Sequence, residues 1–146
     1  MRRVSHSTVR VSLYYANLFT SLGSNVALPA STLTSVITSN TLAPGRWLVR
    51  AAVSIFPGAA SFNCEVTTVV ASGSATLSGQ LSAQAVIPTG GMTSLETIPL
   101  AFVVDVTTAA TFTIEVRNNA GAAIAQATTP SSGYTGATGY VAEKTA

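Results

Sequence analysis

Charge is scarce in this chain. Asp, Glu, Lys and Arg together make up 8% of its 146 residues, against about 25% in an average globular domain. The seven basic residues are Arg2, Arg3, Arg10, Arg46, Arg50, Arg117 and Lys144. They form no run longer than the Arg2-Arg3 doublet, so no patch can track a phosphate backbone, which argues against nucleic-acid binding. A single cysteine, Cys64, excludes an intramolecular disulfide framework. It lies beside Glu65, where a thiolate would be disfavoured, and reads as a small apolar side chain.

Other absences narrow the chemistry further. His6 is the only histidine and Asp105 the only aspartate, and no spacing brings them to a serine as a nucleophilic triad requires. The remaining acids, Glu65, Glu96, Glu115 and Glu143, are scattered along the chain and form no metal-ligand cluster. Glu115 is expected to pair with Arg117 two residues on, and Asp105 to cap a turn after it. The Gly pair in "PTGGMT" has neither the lysine nor the following helix of a phosphate loop. No catalytic, cofactor or metal residue is therefore assigned, and the chain reads as a non-enzyme. The longest apolar run, "IPLAFVV" at 98–104, is too short to span a bilayer. The opening "MRRVSHSTVRVSLYY" alternates polar and apolar residues instead of forming a continuous hydrophobic leader. These features point to a soluble, unexported chain made in a reducing compartment.

What the chain does have is hydrophobic residues (47%) and hydroxyls, with 17 Ser and 21 Thr. A surface of hydroxyls in place of charge suits a protein that covers much of itself with partners or lives in a large assembly. Nearly every segment alternates with period two and none with period 3.6. Strands are predicted at 8–15, 30–40, 46–56, 62–71, 75–87, 94–106, 111–119, 122–128 and 140–145. Turns or short connections lie between them, including "TTAA" at 107–110. Pro99 marks an edge or a bulge. The pattern predicts an all-β, antiparallel sandwich of about eight to ten strands in one domain.

The most structured stretch is "LAPGRWLVRAAVSIF", 42–56. Trp47, Val49, Ala51, Val53 and Ile55 form a core face. The opposite face mixes Arg46 and Arg50 with Leu48 and Phe56. Two readings of that face stand: a subunit interface formed by Arg46, Leu48, Arg50 and Phe56, or an ordinary solvent face. Tyr134 and Tyr140 flank the loop "YTGATGY". They either stack on a glycan or anchor the loop, with Tyr140 beginning the last strand and packing inward.

The same stretch resembles the "G-x-Y/W-x-(V/F)-x-A-x-V" strand of trimeric jelly rolls of the complement-C1q and tumour-necrosis-factor type. "DVTTAATFTIEVRNNAG", 105–121, and "GYTGATGYVAEK", 133–144, resemble that fold's later strand and its closing segment. The same grammar, with alanine and threonine on the surface, is similar to small virion proteins of tailed bacteriophages that infect actinobacteria. The resemblance covers about residues 40–146 and is one of pattern. It lacks the collagen-like Gly-X-Y stem of the complement proteins, which leaves the viral branch. It implies a C1q/TNF-like jelly roll at 41–146 preceded by an arm and first strands at 1–40. It also implies a homotrimer bound to the major capsid protein on the outside of a phage head. Such a protein would be made in the host cytoplasm, with Arg2, Arg3 and Arg10 contacting the shell. The alternative is a tail-fibre or head-fibre tip that binds a host glycan through Tyr134 and Tyr140.

Overall fold

Phe102 and Phe112 lie on one continuous β-strand, and their rings touch. A straight strand would separate them by about 33 Å, at about 3.3 Å per residue; their ring centroids are 5.3 Å apart, edge to face. The strand that carries them is folded over on itself, and this fold-over organises the molecule. The computed structural model describes residues 17–57, 62–87, 96–119, 125–127 and 138–145. It contains nine strands: β1 (Asn17–Ser21), β2 (Val26–Leu28), β3 (Leu33–Thr38), β4 (Gly45–Pro57), β5 (Phe62–Gln80), β6 (Ser82–Ile87), β7 (Glu96–Asn118), β8 (Ala125–Ala127) and β9 (Gly139–Lys144). All pairings are antiparallel, and no helix occurs among the described residues.

The 23-residue β7 pairs with β5 along most of its length, from Cys64↔Asn118 to Gln80↔Ala101. This two-stranded ribbon serves two layers. The first half of β7 pairs with β4, which pairs with β9, which pairs with β1. The second half pairs with β3 on one side and with the first half of β5 on the other, and β6 closes that layer beyond β5. β8 links β2 to the far end of β4. Alternation fills the space between the layers. Ile98, Leu100, Phe102, Val104 and Val106 are buried from one half of β7, and Ala110, Phe112, Ile114 and Val116 from the other. Trp47, Val49, Ala51, Val53 and Ile55 of β4 join them, as the period-two reading of that strand requires. Cys64 is buried in the same core.

The predicted breaks at 72–74 and 107–110 are not breaks. Both stretches stay in the β5–β7 ladder, and the ribbon turns its corner through register shifts between Val70 and Ala75. Such bulges raise local twist and bend a strand without ending it. Hydroxyls brace the corner from outside, with Ser72 and Thr111 2.7 Å apart and Thr107 Oγ1 donating to Ser74 Oγ at 2.9 Å. Gly73 makes the corner sterically feasible. Its φ is +76°, and a Cβ there would overlap the Ala109 carbonyl oxygen and stand 2.7 Å from Ala110 Cα. The segment predicted as one strand at 75–87 is instead divided at Leu81, whose carbonyl accepts the Thr68 N–H at 2.9 Å. Asp105 caps no turn, because β7 runs on through it.

Pro99 sits opposite Ala52 of β4, past the last β5 partner at Ala101. Its missing N–H falls where β7 has a neighbour on one side only, so it is a local edge as its chemistry demands. Residues 17–40 belong to the body of the fold: β1 and β3 pair with β9 and β7, and Leu28, Val36 and Ile37 lie in the core. The bulge between Ser35 and Ile37 lets Val36 and Ile37 both point inward.

Gly73→Ala combines left-handed strain with overpacking against backbone. It is expected to destabilise the fold by about 2–4 kcal/mol, measured as a lowered denaturation midpoint at unchanged m-value.

Candidate functional site

The outward face of β4 meets its neighbours in rows set by the register. One row runs Ser78, Val103, Leu48, Glu143. The next runs Gln80, Ala101, Arg50, Val141. A third places Thr76 beside Asp105 and Asp105 beside Arg46, and a fourth places Pro99, Ala52 and Gly139 side by side. The centre of this face is therefore apolar. Leu48, Val103 and Ala52 are half-buried, while Ala101, Pro99 and Val141 are exposed. Charges of both signs frame it: Arg46 and Asp105 at one end, Arg50 and Glu143 across the middle.

Arg46 Nε stands 3.6 Å from Asp105 Oδ1, with side chains 62% and 46% exposed. An ion pair so open to solvent contributes at most about 1 kcal/mol, so it orients Arg46 more than it stabilises the sheet. Glu115 takes the hydroxyl of Ser35 at 3.5 Å, and the ion pair found among the described residues is Arg46–Asp105, not the expected Glu115–Arg117. Lys144 extends its ammonium to 5.9 Å from the Trp47 ring centroid, within cation–π range.

The outward face of the second layer differs in chemistry. Its rows are Leu33–Arg117–Glu65–Gln84, Ser35–Glu115–Thr67–Ser82 and Thr38–Thr113–Val69. Hydroxyls and charges are in the majority there, with Leu33 and Val69 exposed among them, and Thr38 and Thr113 bridge across strands at 3.3 Å. Of the two broad faces, the one carrying β4 has the apolar centre.

Tyr140 is not a surface platform. It is 1% exposed, and its ring packs edge-on against Phe112 at 5.1 Å. Its hydroxyl accepts the Asn40 N–H at 2.7 Å and the Thr20 hydroxyl at 3.3 Å. The phenol thus ties β9 and β1 to the chain entering β4, and its ring cannot stack on a glycan from this position. Tyr134 lies outside the described residues, as do Arg2, Arg3, His6 and Arg10; so does the side chain of Phe56, whose backbone pairs with Gln126. Of the four proposed interface residues, the structure brings Arg46, Leu48 and Arg50 onto one face. Sequence reasoning missed Val103, Val141, Ala101 and Glu143. Strand order is what makes Val141 and Glu143 neighbours of Leu48 and Arg50.

Among the described residues no group of three His, Cys, Asp or Glu is placed to hold a metal ion. No helix there is long and apolar enough to cross a membrane. No protein-family model matches the chain, and no curated protein matches it.

Tyr140→Phe leaves the Asn40 N–H without its acceptor and is expected to cost about 1–3 kcal/mol of stability. Thermal and denaturant unfolding would measure it; a loss near zero would show that water replaces the phenol.

Proposed function

We propose that this chain is a structural protein of a virus particle: a trimeric jelly roll seated on the outside of a bacteriophage head. The observation that carries the proposal is the face of β4, β7 and β9, where Leu48, Val103, Ala101 and Val141 lie together, whereas on the other broad face exposed Leu33 and Val69 stand among hydroxyls and charges. Contiguous apolar surface on a protein this poor in charge is surface for burial.

Strand order supports the jelly-roll part of the reading. Treat each half of β7 as a strand, keep the first half of β5, and set aside the short β2 and β8. The eight strands in chain order then fall into layers 1-8-3-6 and 2-7-4-5. That order agrees with the double Greek-key arrangement of a jelly roll, an architecture shared by viral capsid and lectin domains, and it supports the reading.

A three-fold arrangement would make the face heterologous, each copy offering one half to the next. Arg50 and Glu143 sit diagonally on the same face, so a neighbour's Glu143 can meet Arg50, and complementarity of this kind fixes register more than it adds affinity. The number three comes from the resemblance to trimeric jelly rolls. The work is passive. Each apolar Å² covered at a junction between copies or against the shell adds about 25 cal/mol of association free energy, which resists outward pressure from packaged DNA. Arg2 and Arg3, with Arg10, supply charge for an acidic shell surface. The glycan-binding alternative is not favoured, because Tyr140 is inside the core.

Two variants separate the parts of this reading. Leu48→Asp places a charge in the centre of the face; sedimentation equilibrium is expected to show single chains that retain the native fold by circular dichroism. An unchanged mass would place the copy-to-copy contact elsewhere. The double variant Arg2→Glu, Arg3→Glu is expected to keep the oligomer and fail to co-sediment with undecorated capsids; full binding by this variant would sink the role of the arm.

A further inference from the structure

Among the described residues, the first layer ends in an unpaired edge. In the second half of β5, residues 75–80 hold unbroken register against β7, from Ala75↔Val106 to Gln80↔Ala101, and no described strand pairs with their other side. Ser74, Thr76, Ser78, Gly79 and Gln80 are exposed. Ala75 and Leu77 point toward the core but are covered only in part. Proteins guard such edges with lysine, proline, inward charge or a bulge. None of these guards residues 75–80: the bulges end before them, and no charged residue occurs between Glu65 and Glu96. The edge of β3, by contrast, carries a bulge between Ser35 and Ile37.

The same chain contains a segment that fits this edge. Residues 8–15, "TVRVSLYY", alternate strictly, with Val9, Val11, Leu13 and Tyr15 on one side and Thr8, Arg10, Ser12 and Tyr14 on the other. Laid beside β5, the apolar side would complete the cover over Leu77 and the polar side would continue the hydroxyl row of Ser74, Thr76 and Ser78. The segment cannot reach the edge of its own chain. Only Ala16 separates it from Asn17 at the start of β1, and β1 stands four strand spacings from β5, about 19 Å across the layer. Tyr15 stands two residues before Asn17, a reach of about 7 Å.

We propose that the open edge at residues 75–80 takes residues 8–15 of a neighbouring copy as an added strand, so that copies are joined by strand exchange. This rests on the assembly reading above, because the edge begins where the row Leu48, Val103, Ser78 ends and so lies next to the neighbour that the face would contact. The main-chain hydrogen bonds of such an added strand give affinity, and the alternate side chains give specificity.

The test is amide hydrogen exchange on the full chain against the full-length double variant Val11→Asp, Leu13→Asp, with the mass of each followed by sedimentation. The amides of residues 75–80 that point away from β7 are expected to exchange about ten-fold or more slowly in the parent than in the variant. That protection should fade on dilution to single chains. Equal exchange in parent and variant, with the parent still oligomeric, overturns strand exchange and leaves the Leu48 face standing. Protection that needs Val11 and Leu13 but persists in single chains means that the segment folds onto its own chain, and it overturns the exchange between copies.

Discussion

The fold depends on one constraint: a 23-residue strand must serve two layers. β7 does this by folding over with β5, and the contact that holds the fold closed is the row of rings Phe102, Phe112 and Tyr140. Each ring comes from a different place: the first half of β7, its second half, and β9. Edge-to-face pairs contribute about 0.5–1.5 kcal/mol beyond the area they bury. Truncating a buried Phe costs about 3–5 kcal/mol, a large fraction of a domain's stability. Around this row the backbone supplies the rest. Phe112 N–H donates to Ser39 Oγ at 2.9 Å, and the Phe112 carbonyl accepts the Ser39 N–H at 2.9 Å. Gly79, opposite Phe102, leaves room for the ring's backbone, with a Cβ there only 3.2 Å from Phe102 Cα.

The fold-over also determines what the surface can be. By keeping the ribbon hydrogen-bonded through the corner, the chain uses hydroxyls at the bend and spends almost no charge. It then exposes a broad face with an apolar centre and, among the described residues, leaves one flank of β5 unpaired. Both features are liabilities for an isolated molecule and useful in an assembly. The proposed virion role and the proposed strand exchange use these two liabilities: the face explains why copies would meet, and the edge explains how they would be locked.

Much of the fold was legible in the chain. Trp47, Val49, Ala51, Val53 and Ile55 alternate so cleanly that their burial followed from period alone, and the lack of a 3.6 period agrees with the all-β content of the described residues. Pro99 announced its edge. The corner was not legible, because "ASGSA" and "TTAA" have the composition of turns. Only long-range pairing tells a bend in a ladder from a gap between strands. The candidate face was half visible for a related reason. Leu48, Arg46 and Arg50 share a strand, whereas Val103 and Val141 become their neighbours through topology. Asp105 resembles a turn cap in sequence because its partner, Arg46 of β4, lies far from it along the chain. Tyr140 carried two readings, and its depth in the core is set by Phe112 and Asn40, neither of which is near it in sequence.

The central claim is that this all-β chain is a subunit rather than a complete unit. The most direct measurement is the equilibrium sedimentation mass of the purified full chain at micromolar concentration. The account predicts three times the 14.8 kDa chain mass. A single species at one chain mass across the whole concentration range would contradict it, and would make the apolar face and the open edge ordinary surface.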